Sequence, residues 1–167
     1  MTKRLRQYVA ILVALVVYYL VHEGAHFLSA LYYGVFEKIR FMGVGVQIVV
    51  DHESMTETQL GVFCIVGALA TFAVAWVLVG ATSRICMLKS KLLRSCFYYT
   101  SIALLLMDPA YLSVLYRFFG GGDMNGIRFL LPETVACGVF AALFVAHLVV
   151  FFKFLLPRYK ASFAENA

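Results

Sequence analysis

Residues 8–33, YVAILVALVVYYLVHEGAHFLSALYY, form an apolar run that is interrupted by two histidines and one glutamate. The run is longer than the ~20 apolar residues that a helix needs to cross a hydrocarbon core of ~30 Å. Ionisable side chains inside such a helix are costly unless they face a polar cavity, a partner or a metal. We therefore favour a functional role for His22, Glu23 and His26 over a structural polar cluster.

The composition of the whole chain also indicates a membrane protein. Of its 167 residues, 63% are hydrophobic and 14% are charged, whereas soluble domains are about half apolar and about a quarter charged. Hydropathy and helix breakers place membrane-spanning segments at residues 8–33, 60–80, 95–119 and 134–156. We therefore predict an all-α membrane protein with about four transmembrane helices, in one domain covering residues 1–167.

The basic residues indicate an orientation. Although the net charge is +5, the lysines and arginines lie in short clusters beside apolar segments and not on an aromatic-interleaved face typical of nucleic-acid binding. Ten of them fall on the side of both termini and four on the opposite side. Because positive charge is retained in the cytoplasm, we expect cytoplasmic N- and C-termini. The compactness of the chain favours a prokaryotic plasma membrane.

A different pattern separates the first two apolar segments. Between residues 34 and 58, hydrophobic residues alternate with glycines and polar residues, at Phe41, Val44, Val46, Ile48 and Val50. Alternation of this kind is typical of strands and turns. We therefore expect a short β-hairpin or a re-entrant segment after the first helix, at the membrane edge.

The sequence His22-Glu23-Gly24-Ala25-His26 is an HExxH motif. On a helix, residues i and i+4 lie one turn apart on the same face, so both imidazoles can bind one Zn²⁺. The glutamate beside the first histidine can reach a water on the metal and act as general base in amide hydrolysis. The motif therefore predicts zinc as cofactor, His22 and His26 as ligands, and Glu23 as the catalytic base.

Two aspartates compete for the third protein ligand that a hydrolytic zinc site needs. Asp108 precedes Pro109 inside the third apolar segment, and Asp123 lies in a glycine-rich stretch just beyond it. At a rise of ~1.5 Å per residue, His22 and Asp108 both lie about 20 Å from the cytoplasmic end of their helices. Asp123 reaches that depth only if the glycine run folds back, which is tolerated where protein shields the backbone. The spacing therefore does not decide whether Asp108 or Asp123 is the third ligand.

These motifs together resemble the site-2 protease family of intramembrane zinc metalloproteases. The resemblance is carried by HEGAH in a membrane helix, by Gly67-Ala68-Leu69-Ala70-Thr71-Phe72, and by the later aspartate in a glycine-rich motif. In that family a second core helix carries a Gly-Pro-Leu-Ala-Asn-type stretch, and a third supplies a zinc-binding Asp from an Asp-Gly motif. Here the contiguous Asp-Gly is replaced by Asp123-Met124-Asn125-Gly126.

The resemblance implies a role for each polar residue. The zinc ligands would be His22, His26 and Asp123, and the base would be Glu23. Asp108 and Asn125 would be an alternative third ligand or substrate-positioning residues. The implied activity is hydrolysis of peptide bonds in or next to transmembrane segments, with a transmembrane protein or peptide as substrate, the lipid bilayer as surroundings, and no nucleic acid.

Other interpretations stay open. A non-proteolytic metal-binding membrane protein, such as a zinc transporter or sensor, would need the histidines and aspartates but not Glu23 as a base. A structural membrane subunit would need none of them. His147 in the fourth segment would be either a further ligand or a histidine packed between helices, and we favour packing. In a protease, the free strand edges between residues 34 and 58 would accept an extended substrate.

Overall fold

The computed structural model describes residues 2–43 and 45–165, and it is mostly helical. In chain order its elements are α1 (Lys3–Tyr33), β1 (Phe36–Met42), β2 (Gly45–Val50), α2 (Glu57–Cys86), α3 (Lys91–Ser113), α4 (Met124–Ile127), α5 (Glu133–Val150) and α6 (Leu156–Glu165). Two 3-10 turns, His52–Ser54 and Leu115–Phe118, lie in the connections, and a π-helical turn, Phe151–Leu155, joins α5 to α6.

Within the described residues, three helical stretches are long and apolar enough to cross a membrane: Lys3–Tyr33, Glu57–Cys86 and Glu133–Ala164. The remaining long helix, α3, has 23 residues and a more polar composition. Several of its polar side chains point inward, since Arg94, Thr100 and Asp108 are all buried. The predicted third segment, residues 95–119, was also too long at its end, because the helix stops at Ser113 and the chain turns.

The predicted hairpin after the first helix is confirmed. Gly34 ends α1 in the left-handed conformation, with φ of 69°, which glycine adopts without a Cβ penalty. β1 and β2 then pair antiparallel, with Ile39 opposite Ile48. Val44, which belonged to the predicted pattern, lies outside the described residues. Ile48 and Val50 are buried in the core that α1 and α2 share, and they hold the hairpin against the bundle.

One face of α1 organises the bundle. Its buried residues recur at every fourth position: Ala10, Ala14, Tyr18, His22, His26 and Ala30. Residues at this spacing form one stripe along a helix, and α1 uses it to pack against α2 and α3. Alanines at both ends of the stripe allow close helix approach. The tyrosine and the two histidines therefore lie in the middle of the bundle.

His147 has a specific structural partner. Pro109 lies inside α3 and has no N–H, so the carbonyl of Leu105 lacks its usual helical hydrogen bond. His147 Nδ1, on α5, lies 2.7 Å from that carbonyl oxygen and donates to it. The imidazole is 2% exposed and contacts the rings of Phe72 and Trp76. His147 therefore packs between helices and satisfies a carbonyl that the proline leaves open.

Candidate metal centre

Three of the predicted ligands come together at the middle of α1. One ligand atom from each of His22, His26 and Asp123 lies within 4.8 Å of the others. The two histidine Nε2 atoms are 3.1 Å apart. Asp123 approaches with both oxygens: Oδ2 lies 3.2 Å from His22 Nε2, and Oδ1 lies 3.6 Å from His26 Nε2.

These separations are close to those between neighbouring ligands of one tetrahedral metal site, with a different oxygen of Asp123 nearest to each histidine. With metal–ligand bonds of about 2.0–2.2 Å, two ligand atoms of a tetrahedron are about 3.3–3.6 Å apart. The observed distances between ligand atoms run from 3.1 to 3.6 Å. Two imidazoles and one carboxylate are also the donor types that zinc accepts, and three protein ligands leave a fourth position open. The cluster could therefore hold a metal ion.

His26 is oriented by a hydrogen bond on its other nitrogen. Nδ1 lies 2.7 Å from the carbonyl oxygen of Phe63 on α2. Since a carbonyl only accepts, Nδ1 carries the proton and the lone pair of Nε2 faces the cluster. A backbone or carboxylate partner on the second nitrogen is the usual arrangement of a metal-binding histidine.

Gly67 on α2 makes room for both imidazoles. A Cβ at this position would lie 2.5 Å from His26 Nε2 and 2.8 Å from His22 Nε2. Both distances are far below van der Waals contact, so any side chain would displace the rings. Gly67, which belongs to the stretch that resembles the family, therefore has a steric function here.

Asp123 reaches the histidines because the chain folds back after α3. Gly120, Gly121 and Gly122 have φ values of 77°, 88° and 45°, a conformation that favours glycine. The short helix α4 then packs against α2, where a Cβ on Gly126 would collide with Cys64 Sγ. Through this packing the glycine-rich stretch brings Asp123 to the depth of His22.

Asp108 lies behind His22 and not among the three ligand atoms. Its Oδ1 is 3.2 Å from His22 Nδ1, on the side of the ring opposite to the cluster. Tyr18 Oη donates to the same oxygen at 2.5 Å, and Thr71 Oγ1 donates to Oδ2. The carboxylate is only 1% exposed. The structure therefore gives the two aspartates different positions, which the sequence could not do.

Asn125 lies beside the cluster on the glycine-rich loop. Its side-chain amide donates to the carbonyl of Gly120 at 3.1 Å. The residue is exposed and lines the cavity described below. It therefore stabilises the turn that carries Asp123, and it is accessible to a bound molecule.

Glu23 faces a large cavity beside the cluster. The cavity has a volume of about 1190 Å³, and His22, Glu23, Asp123 and strand β2 line it. Glu23 Oε2 accepts a hydrogen bond from the backbone N–H of Ile48 at 3.3 Å. Because that N–H points to Glu23, it points away from β1. The outer edge of β2, which pairs with no other strand in the described chain, therefore faces Glu23.

The fold and site were also compared with known proteins. No protein-family model, curated protein or solved structure matches this chain. The function must therefore be inferred from the HExxH motif and from the geometry of the side chains around it.

Two residues of the site were assigned no role from the sequence. Tyr18 lies in the first apolar segment and Thr71 in the stretch that resembles the family, and both contact Asp108 in the structure. Tyr18 could have been noticed from its position, since it lies one helical turn before His22 on the same face. Thr71 contacts Asp108 across 37 positions of the chain, and no local pattern reports such a contact.

Proposed function

We propose that this chain is an intramembrane zinc metalloprotease that resembles the site-2 protease family and hydrolyses peptide bonds in or next to transmembrane segments. The observation that carries the proposal is the position of Glu23. Its carboxylate faces the same cavity as the histidine and aspartate cluster, and it contacts a strand edge that lines this cavity. A purely structural role for Glu23 would not account for its position between the cluster, the cavity and the strand edge.

Zinc would be held by His22, His26 and Asp123. When bound, it would supply Lewis acidity at the scissile carbonyl and lower the pKa of a water to about 7. Glu23 is adjacent to His22 in the chain but faces the cavity, where a substrate amide would lie. In this position it would accept a proton from the attacking water and deliver one to the leaving amine.

The edge of β2 is our proposed substrate-docking site. A helical substrate hides its amide groups, so the segment to be cleaved must be extended when it reaches Glu23. Val46 and Ile48 alternate along β2 and line the cavity. Because the backbone N–H of Ile48 faces the cavity side, an extended peptide could add to this edge by main-chain hydrogen bonds and take over the N–H that donates to Glu23.

The apolar outer surface of the helices suits a lipid bilayer. Large apolar side chains are exposed along the outer faces of the helices, among them Leu12, Leu20, Leu28, Val77 and Val149. We propose that α3 is a fourth span, because its buried polar residues face the bundle interior, as polar groups in membrane helices do. The positive charges near both ends of the chain support cytoplasmic termini.

Metal content and proteolysis test the proposal separately. The protein would be purified in detergent under metal-replete conditions and analysed for zinc as wild type, His26→Ala, Asp123→Asn and Glu23→Gln. We expect about one zinc per chain in wild type and Glu23→Gln, and loss of zinc in the two ligand variants. Wild type without zinc would overturn the proposal.

Proteolysis would be followed by incubating wild type and Glu23→Gln with proteoliposomes that contain a mixture of membrane proteins. New peptide ends, identified by mass spectrometry, are expected only with wild type. Zinc binding with the same peptide ends in both samples would favour a zinc transporter or sensor over a protease.

A further inference from the structure

We infer that Asp108 is a positioning residue, whose carboxylate is held by Tyr18 and Thr71 and in turn orients His22 so that Nε2 faces the metal. The inference rests on the proposed metal site, but it does not depend on proteolysis. It assigns Asp108 a role different from both a third ligand and a substrate contact.

The carboxylate of Asp108 is surrounded by donors. Its Oδ1 accepts from Tyr18 Oη, and its Oδ2 accepts from Thr71 Oγ1. Thr71 has one hydroxyl proton, and the carbonyl of Ala68 at 2.8 Å competes for it. A carboxylate is the stronger acceptor of the two. Asp108 lines the cavity but is 1% exposed, and Thr71 is 0% exposed, so the two hydroxyl groups orient the carboxylate.

The carboxylate of Asp108 lies against Nδ1 of His22. This nitrogen is buried and makes no well-aligned hydrogen bond within the described residues, but it lies 3.2 Å from Asp108 Oδ1. A proton on Nδ1 is attracted by the carboxylate and leaves the lone pair on Nε2. Tyr18 also stacks on the imidazole, with ring centroids 5.5 Å apart and planes at 25°. Tyr18 therefore sets the plane of His22. Asp123 Oδ2 lies 3.2 Å from Nε2, and Asp108 offers an acceptor for the proton on Nδ1 when Nε2 would bind a metal.

The same geometry argues against Asp108 as the third ligand. Nδ1 and Nε2 lie on different sides of the imidazole, and Asp108 is on the Nδ1 side. Asp123 is on the Nε2 side, where His26 Nε2 also lies. One metal could bind His22 Nε2 and Asp108 together only if the ring turned over. That movement would exchange the positions of Nε2 and Cε1 and so take Nε2 away from His26 Nε2 and Asp123 Oδ2.

Cobalt binding tests the inference without any substrate. The full chain in detergent would be titrated with Co²⁺, whose visible spectrum reports coordination geometry, and zinc affinity would follow from competition. Asp108→Asn places an amide N–H₂ against groups that already donate. We expect it to weaken metal binding by about 10- to 100-fold, the range for lost orienting contacts, and to leave the tetrahedral spectrum unchanged.

Thr71→Val and Tyr18→Phe remove one donor each and keep the side-chain shape. We expect smaller losses of affinity in the same direction, and little further loss when either is combined with Asp108→Asn. Thr82→Val is the matched control, because Thr82 is another fully buried threonine of α2, bonded to the carbonyl of Leu78. We expect it to bind metal like wild type.

Three results would overturn the inference. The first is wild-type affinity in Asp108→Asn or, if that variant does not fold, in Thr71→Val. The second is an equal loss of affinity in Thr82→Val, which would indicate a general effect on the bundle. The third is loss of the tetrahedral spectrum in Asp108→Asn but not in Asp123→Asn, which would make Asp108 the ligand. A wild type that binds metal with the expected dependence but cleaves nothing would refute only the protease proposal.

Discussion

Replacing Gly67 by alanine tests whether the two histidines are placed as described. The new Cβ would lie 2.5 Å from His26 Nε2, so one group must move by about 1 Å to restore van der Waals contact. Metal–ligand bonds tolerate only about 0.2 Å. Gly67 lies on the helix that packs against α1, and the backbone of two packed helices does not separate without loss of other contacts.

The expected magnitude follows from the energy of overpacking. An extra methyl group in a packed interior costs about 1–3 kcal/mol, which corresponds to about a 5- to 150-fold loss of metal affinity if the strain falls on the ligands. Zinc competition against a coloured chelator, with purified protein in detergent, would measure this loss. Circular dichroism of the same samples would show whether the helices remain.

Gly80→Ala is the matched control for Gly67→Ala. Gly80 lies on the same helix, α2, and a Cβ there would meet nothing within 4 Å. We expect this variant to bind zinc like wild type, with equal or slightly higher thermal stability, because alanine favours helix more than glycine does. If Gly67→Ala also kept wild-type zinc affinity, the described contact between α2 and the histidine pair would be refuted.

The other predictions address the base, the strand edge and His147. Glu23→Gln should keep its zinc and lower the cleavage rate by at least about 100-fold, the range for lost acid–base catalysis; unchanged cleavage in a reporter assay would exclude Glu23 as the base. Ile48→Pro removes the edge N–H that faces Glu23 without removing a bond to β1, so cleavage should fall while zinc content stays; normal cleavage would count against strand addition. His147→Phe should lower stability by about 1–3 kcal/mol and keep zinc, as thermal unfolding and metal analysis would show. Adding Pro109→Ala should recover part of that loss, because alanine supplies an N–H for Leu105; zinc loss in His147→Phe without destabilisation would make His147 a ligand.

The two aspartates occupy different positions in the site and can have different roles. Asp123 is on the side of His22 that faces His26, and Asp108 is on the other side of the same ring. The glycine run before Asp123 and the proline-containing helix α3 therefore supply different parts of one site. The glycine run allows Asp123 to approach, and α3 places Asp108 in contact with Tyr18 and Thr71.

Sequence alone was sufficient for the features that depend on local periodicity. An apolar run of helix length predicts α1, and the spacing of four residues places His22 and His26 on one face of it. Alternation of apolar residues predicted the hairpin, which β1 and β2 confirm. Local patterns are informative here because helix and strand periods determine which side chains share a face. The same reasoning overestimated the third segment, because apolar composition continues beyond Ser113 after the helix has ended.

Tertiary structure decided the features that depend on contacts between distant segments. Asp123 contacts His22 across 101 positions of the chain, and Tyr18 contacts Asp108 across 90. Gly67 matters because a different helix places two imidazoles over it, and His147 matters because Pro109 opens a carbonyl on a different helix. None of these contacts follows a regular spacing along the chain, so none can be predicted from sequence periodicity. They arise from how the helices pack and from how the glycine run turns, so two aspartates that are equivalent by spacing become distinct only in the folded chain.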